Sequence, residues 1–260
     1  MLAGVRYLWP LAIIAAFSAS FPGRASQSIG VVFLHGKQSA PEQMAPLVTA
    51  MRAAGHSVDV PEMCWSHRRI YDRTLPDCLR EIDEAVRRLR ASGARAIVVA
   101  GHSQGANGAL AYAVRRDGLA GVIMLAPGHR PERLVPRRDV TSSLASARAM
   151  LAQGKGDVRG QFVDLNGGLT FQVTTTPRIY LSFFAEDSAA IMPANAPKLR
   201  VPLLYVVGSG DPLQRGPEEI FARVPSHRLN RYVTVEASHF DTLIAARDTV
   251  MTWLRDLAQP

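Results

Sequence analysis

Short apolar runs alternate with amphipathic stretches along this chain. Residues 29–34 (IGVVFL) are apolar throughout and rich in β-branched side chains, which predicts a buried strand. Residues 41–54 read as a helix that stops at Gly55. Residues 58–61 read as a short second strand. Beyond them Leu79, Ile82, Val86 and Leu89 recur at helical spacing, on a helix that Asp77 can cap and Gly93 ends. A third strand follows over 96–100, a helix over 106–116 and a fourth strand over 121–126. The fifth and sixth strands fall at 202–207 and 232–235. A last helix spans 241–258, with Leu243, Ala246, Val250, Trp253 and Leu257 on one face. Strands separated by helices predict an α/β fold, a mostly parallel sheet of about six strands with helices on both faces. Ligand sites in such sheets lie at the carboxyl ends of the strands.

One segment breaks this rhythm. About seventy residues separate the fourth strand from the fifth, far more than an ordinary connection needs. They hold an amphipathic stretch (144–151), a glycine-rich run (154–168) and two strand-like pieces (169–175 and 179–184). The stretch over 131–200 is expected either as a lid-like insertion above the sheet or as a surface excursion. It lacks the apolar residues for a core of its own, so a single domain is expected over 26–260.

The N-terminus changes the compartment. Arg6 precedes an apolar run over 7–19 that is short for a membrane span, and small residues follow it. Residues 1–25 are therefore expected as a signal peptide, with an uncleaved membrane anchor as the alternative. Either places the folded part outside the cytoplasm, and cleavage leaves no membrane span. Cys64 and Cys78 are the two cysteines. Export permits a disulfide between them, and two free thiols are the other reading. Such a bridge closes a loop of about 15 residues, worth about 3 kcal/mol of unfolded-state entropy. Two cysteines without a histidine cluster give no zinc site. The net charge is +8, and nearly all of the basic residues are arginines. They are dispersed rather than interleaved with aromatics, the pattern of a solvated surface and not of a nucleic-acid site.

Four strand ends carry candidate chemistry. The first leads into His35-Gly36-Lys37-Gln38 and the third into Gly101-His102-Ser103-Gln104-Gly105. The fifth leads into Gly208-Ser209-Gly210-Asp211-Pro212 and the sixth into Ala237-Ser238-His239-Phe240-Asp241. A serine between two glycines, after a strand and before a helix, sits on a sharp turn that exposes its hydroxyl. A serine hydroxyl holds its proton too tightly to attack alone. An imidazole accepts that proton, and a carboxylate orients the imidazole and stabilises its cation.

These residues together resemble the α/β-hydrolase superfamily, from about Ser28 to the C-terminus outside the insertion. The resemblance implies Ser103 as nucleophile, Asp211 as orienting acid and His239 as general base. It implies the backbone N–H groups of Lys37 and Gln104 as oxyanion donors, with no required role for the Lys37 side chain. The family's early strands are absent here, and so is its His-Gly-Gly-Gly oxyanion loop. Glu186 and Asp187 are rival acids in the insertion. His35 and His102 are expected to support the loop and the elbow. His129, at the end of the fourth strand, either lines the pocket or serves the structure. Segment 65–71, with Trp65, His67, Arg68, Arg69 and Tyr71, is expected either as a pocket rim favouring an anionic group or as a solvated loop. The expected function is an exported serine hydrolase, periplasmic or secreted, that cleaves a carboxylic ester of a small acyl substrate without cofactor or metal. The alternatives are a thioesterase or peptidase with the same triad, or a non-catalytic binding protein on the same fold.

Overall fold

The apolar runs lie side by side in a computed structural model that describes residues 28–134, 137–214 and 216–259. The strands in chain order are β1 (Ile29–Leu34), β2 (Ser57–Asp59), β3 (Ala96–His102), β4 (Gly121–Leu125), β5 (Gly160–Asn166), β6 (Leu169–Thr175), β7 (Leu203–Gly208) and β8 (Arg231–Val235). Six of them form one parallel sheet in the order β2-β1-β3-β4-β7-β8, and β5 and β6 form a separate antiparallel hairpin. The register decides where the chemistry emerges. Leu34 pairs with Gly101, and His102 pairs with Leu125. The chain therefore leaves β1, β3 and β4 nearly level, at the same edge of the sheet.

Both faces are covered because the strand residues alternate between two cores. Val31 and Phe33 pack with α1 (Ala45–Ala53) on one face, and Val32 and Leu34 pack with α2 (Leu75–Ala91) and α3 (Gln104–Ala113) on the other. The helix expected from 41 begins as a 3-10 turn over Pro41–Met44 before α1. Thr74, rather than Asp77, caps α2. Its hydroxyl accepts the Asp77 N–H and donates to the Asp77 carboxylate at 2.5 Å. The Cys64–Cys78 disulfide ties the loop after β2 to this helix, with the Cα atoms 5.8 Å apart.

The insertion after β4 contains α4 (Pro131–Leu134), α5 (Arg138–Ala152), the β5–β6 hairpin, α6 (Pro177–Phe184) and α7 (Met192–Asn195). The strand expected over 179–184 is helix α6. Thr176 caps it by accepting the Ile179 N–H at 3.3 Å, and Pro177 suits its first turn. As a helix it buries Tyr180, Phe183 and Phe184 together, whereas a strand would send Phe183 and Phe184 to opposite faces. Within the glycine-rich run lies strand β5. Gly160 starts it, and Gly167 and Gly168 form the hairpin turn with φ of 58° and 85°. Val140, Leu144, Phe162, Val173 and Tyr180 join the same buried cluster as Leu34 and Leu79. The last helix divides at Ala246 into α8 (Thr242–Ala245) and α9 (Arg247–Ala258), which cover the α1 face.

The leader expected over 1–25 lies outside the described residues. Among those described, no helix is long and apolar enough to cross a membrane.

Candidate active site

Ser103 sits where β3 turns sharply into α3, with φ 54° and ψ −119°. A non-glycine residue held there costs about 1–3 kcal/mol, so its surroundings must enforce it. They do so by close approach. A Cβ on Gly101 would lie 2.1 Å from the backbone of Gly105, and one on Gly105 would lie 2.2 Å from the Leu34 carbonyl. Only two glycines let the strand, the turn and the neighbouring β1 pack so tightly. The Ser103 N–H donates to the Leu125 carbonyl at 3.0 Å, which fastens the turn to β4.

Asp211 follows β7 and His239 follows β8, the neighbouring strand. Two backbone bonds join their loops, from the Ser209 N–H to Val235 (2.8 Å) and from the Gly210 N–H to Ala237 (3.0 Å). The His239 Nδ1–H donates to Asp211 Oδ2 at 2.7 Å, and its Nε2 accepts from the Ser103 hydroxyl at 3.0 Å. Three residues distant in sequence thus share one line of hydrogen bonds. Burial pushes the Asp211 carboxyl up, but bonds from His239, the Leu213 N–H and Gln214 outweigh it and hold the group below its usual range. Gln214 also donates to the Pro127 carbonyl at 3.1 Å, so one amide steadies the acid against the end of β4.

His35, His102 and His129 are buried and hydrogen-bonded to the protein. His35 Nε2 accepts the Met63 N–H at 3.0 Å. His102 donates its Nε2–H to the His239 carbonyl at 2.9 Å, holding the histidine-bearing loop over the elbow. His129 is buried and bonds through Nε2 to the Phe183 carbonyl at 3.0 Å. Burial pushes His102 down to about 4 and His129 and His35 in the same direction. The unfolded chain binds protons on these rings below about pH 6.5, whereas the folded chain does not, so stability falls as pH falls. His102 alone removes on the order of 3 kcal/mol between pH 6.5 and 4. A urea midpoint that drops steeply from pH 7 to pH 5 is the expected result, and a flat profile over that range would contradict it.

Lys37 lies in the loop after β1 and Gln104 opens α3. The Lys37 N–H has no partner among the described residues, and Gln104, as the first helical residue, has no intrahelical acceptor for its own N–H. The Lys37 side chain, expected to be idle, is buried. Its Nζ donates to Asp164 Oδ1 at 2.6 Å and to the Leu165 carbonyl at 2.9 Å, both on β5.

Trp65 and Tyr71 lie inside the protein rather than on a rim. With Gln104, Asn107 and Phe183, Trp65 and His129 line a cleft too narrow for a water molecule. Arg69 is committed to Asp72 and Glu81, and Arg68 faces Glu62. Glu186 pairs with Arg148, and Glu186 and Asp187 are both solvent-exposed, away from His239's partners. Phe240 is 62 % exposed, and its ring centre stands 5.3 Å from that of His239. An apolar ring thus flanks the mouth of the site. Among the described residues no group of three or more His, Cys, Asp or Glu side chains could hold a metal ion.

Several site residues carry no sequence signal. Asn107 donates to the His129 and Ala190 carbonyls at 2.6 and 2.8 Å, tying α3 to the insertion. Gly128 follows β4 with its Cα facing the Ser103 hydroxyl. Gln214 lies three residues past Asp211, a spacing that suggests a turn and nothing more.

Comparison with known proteins agrees with this architecture. No curated protein matches the chain by sequence. Among solved structures it is similar to one described under the metagenome-derived lipolytic enzymes LipS and LipT, with 20% identity, 89% of this chain and 95% of that chain covered, and a TM-score of 0.63. It is similar to a monoacylglycerol lipase of Paleococcus ferrophilus, with 18% identity, coverage of 88% and 94%, and a TM-score of 0.62. A thioesterase domain of the curacin biosynthetic pathway is also similar, with 15% identity, coverage of 88% and 92%, and a TM-score of 0.57. At these identities the likeness is one of fold. The alpha/beta hydrolase family matches residues 31–251, nearly the whole of the described chain, and this protein belongs to it.

Proposed function

We propose that this protein is an exported serine hydrolase that cleaves a carboxylic ester through an acyl-enzyme on Ser103. The observation that carries the reading is the His239 imidazole, hydrogen-bonded on one side to Asp211 and on the other to the Ser103 hydroxyl. Ser103 Oγ attacks the ester carbonyl carbon as its proton passes to His239 Nε2. The carbonyl oxygen gains the charge and meets the Lys37 and Gln104 N–H groups. The imidazolium, held by the Asp211 carboxylate, then protonates the leaving alkoxide. A water molecule, deprotonated by the neutral imidazole, attacks the acyl carbon and restores Ser103. Each oxyanion donor is expected to contribute a factor of about 10²–10³ to turnover. The exposed Phe240 ring favours an apolar group on the substrate, and the Cys64–Cys78 disulfide supports an oxidising compartment.

A fluorophosphonate probe and a panel of esters with matched thioesters and amides test the proposal. The expected result is covalent labelling at Ser103, ester turnover, and loss of both in Ser103→Ala, with turnover down by at least about 10⁴. Faster turnover of the thioesters would move the assignment to a thioesterase. Ligand binding without labelling or turnover would make the protein a binder on a hydrolase fold.

A further inference from the structure

The insertion reaches the oxyanion loop through one buried carboxylate. Asp164, on β5, accepts Lys37 Nζ on Oδ1 at 2.6 Å and the Tyr71 hydroxyl on Oδ2 at 2.8 Å. The Tyr71 oxygen lies 3.2 Å from Gln104 Oε1; with its one proton given to Asp164, it holds Gln104 by accepting from the amide turned over, which also gives the otherwise unpartnered, buried Gln104 Nε2 a bond. All four side chains are buried. Lys37 and Gln104 are the two residues whose backbone N–H groups form the proposed oxyanion hole, and they approach it from different elements. The carboxylate therefore grips the side chains of both donors, one directly and one through a phenol.

The rest of the loop is braced from within the sheet domain. The Trp65 indole donates to the His35 carbonyl, the Gly36 N–H donates to Gln43, and the Gln38 N–H donates to the Trp65 carbonyl. The peptide that carries the Lys37 N–H is braced at its carbonyl, where Gly36 accepts from His35 Nδ1 at 2.9 Å and from the Ser39 N–H at 3.3 Å, but no bond from the sheet domain holds the Lys37 side chain. That side chain is held by the hairpin, through Asp164 and the Leu165 carbonyl. The hairpin in turn is anchored elsewhere. Tyr180 donates to the Val163 carbonyl at 2.7 Å, and Thr175 donates to the Tyr71 carbonyl at 2.7 Å.

We infer that Asp164 is a positioning residue, through which the insertion sets the aim of both oxyanion donors. A docked hairpin holds the Lys37 and Gln104 N–H groups on the developing oxyanion. Without the carboxylate, the peptide that carries the Lys37 N–H keeps only the bonds from His35 Nδ1 (2.9 Å) and the Ser39 N–H (3.3 Å) to its carbonyl, and its aim loosens. This inference rests on the serine-hydrolase reading.

Asp164→Asn, the double variant Asp164→Asn/Lys37→Met, and Tyr180→Phe test it together. Asp164→Asn leaves the Lys37 ammonium buried without its counter-charge and is expected to lower the melting temperature. Adding Lys37→Met removes that stranded charge and keeps the backbone N–H, so a folded protein remains to be assayed. Both Asp164 variants are expected to lower kcat about 10- to 100-fold with KM changed less than about twofold. A trifluoromethyl ketone adds Ser103 Oγ to its carbonyl carbon and places an oxyanion in the hole, so its affinity should fall by the same factor as kcat/KM. Tyr180→Phe removes one hydrogen bond from the hairpin but leaves Asp164 paired to Lys37 and Tyr71, so it should lower the melting temperature while leaving kcat unchanged.

A double variant that regains wild-type kcat along with its melting temperature overturns the inference, because the pair then serves stability alone. So does a Tyr180→Phe protein that loses as much kcat as Asp164→Asn. Fluorophosphonate labelling of wild-type Ser103 separates the two readings. Labelled wild type with fully active Asp164 variants defeats only the positioning role, and unlabelled wild type defeats both.

Discussion

Asp211→Asn is expected to lower kcat for the best ester by about 10⁴ while the fold stays intact. The replacement is isosteric, and its amide oxygen still accepts the Leu213 N–H. What changes is the group 2.7 Å from His239 Nδ1. An amide that presents its NH₂ there makes Nδ1 the acceptor and moves the ring proton to Nε2. A protonated Nε2 cannot accept the Ser103 proton at 3.0 Å. An amide that presents its oxygen keeps the right tautomer but offers no charge to the imidazolium of the transition state. Both orientations fail, which is why a change of one atom has so large an effect. Steady-state kinetics beside a thermal melt are sufficient to check it. A variant within tenfold of wild type would remove Asp211 from the mechanism, and a variant that melts far below wild type would leave the loss to unfolding.

Gly128→Ala is expected to reduce kcat/KM by roughly 100-fold, the cost of a displacement near 1 Å at the reacting atom. A Cβ at this position would stand 2.6 Å from Ser103 Oγ and 3.4 Å from the Ser103 backbone. The backbone distance is tolerable and the hydroxyl distance is not. The cheap response is rotation of the hydroxyl, which breaks its bond to His239 Nε2 and costs little stability. The expected pattern is a nearly unchanged melting temperature with slow fluorophosphonate labelling of Ser103. Labelling at the wild-type rate would mean that the chain near Gly128 moves instead, and that the hydroxyl keeps its place.

Much of the fold is legible in the amino-acid order. The four inner strands β1, β3, β4 and β7 announce themselves as apolar runs because every one of their residues is buried, whereas the edge strands β2 and β8 are only partly buried. The Ser103 turn is legible because Gly101 and Gly105 are demanded by contacts near 2 Å, which leave no room for another residue. Asp211 and His239 are legible by their order and by the strand ends that carry them. The insertion is harder to read. Residues 179–184 have the β-branched and aromatic character of a strand, yet they form α6, because Thr176 and Pro177 start a helix and the partner surface wants Tyr180, Phe183 and Phe184 on one side. Segment 65–71 looks like a rim because its aromatics and arginines are ordinary surface residues. Tertiary packing draws Trp65 and Tyr71 inward and spends Arg69 on Asp72 and Glu81.

The amino-acid order by itself determines the alternation of strand and helix, the strained serine turn, and the identity of the three residues that meet above the sheet. Each of these is written locally, in the period of apolar positions or in residues required by a few neighbouring atoms. Tertiary structure alone decides that Lys37 ends in an ion pair with Asp164, 127 positions away, that Gln214 steadies Asp211 against β4, and that Gly128 faces the Ser103 hydroxyl. Those contacts join segments whose separation along the chain exceeds any local pattern, and burial is what makes each of them matter.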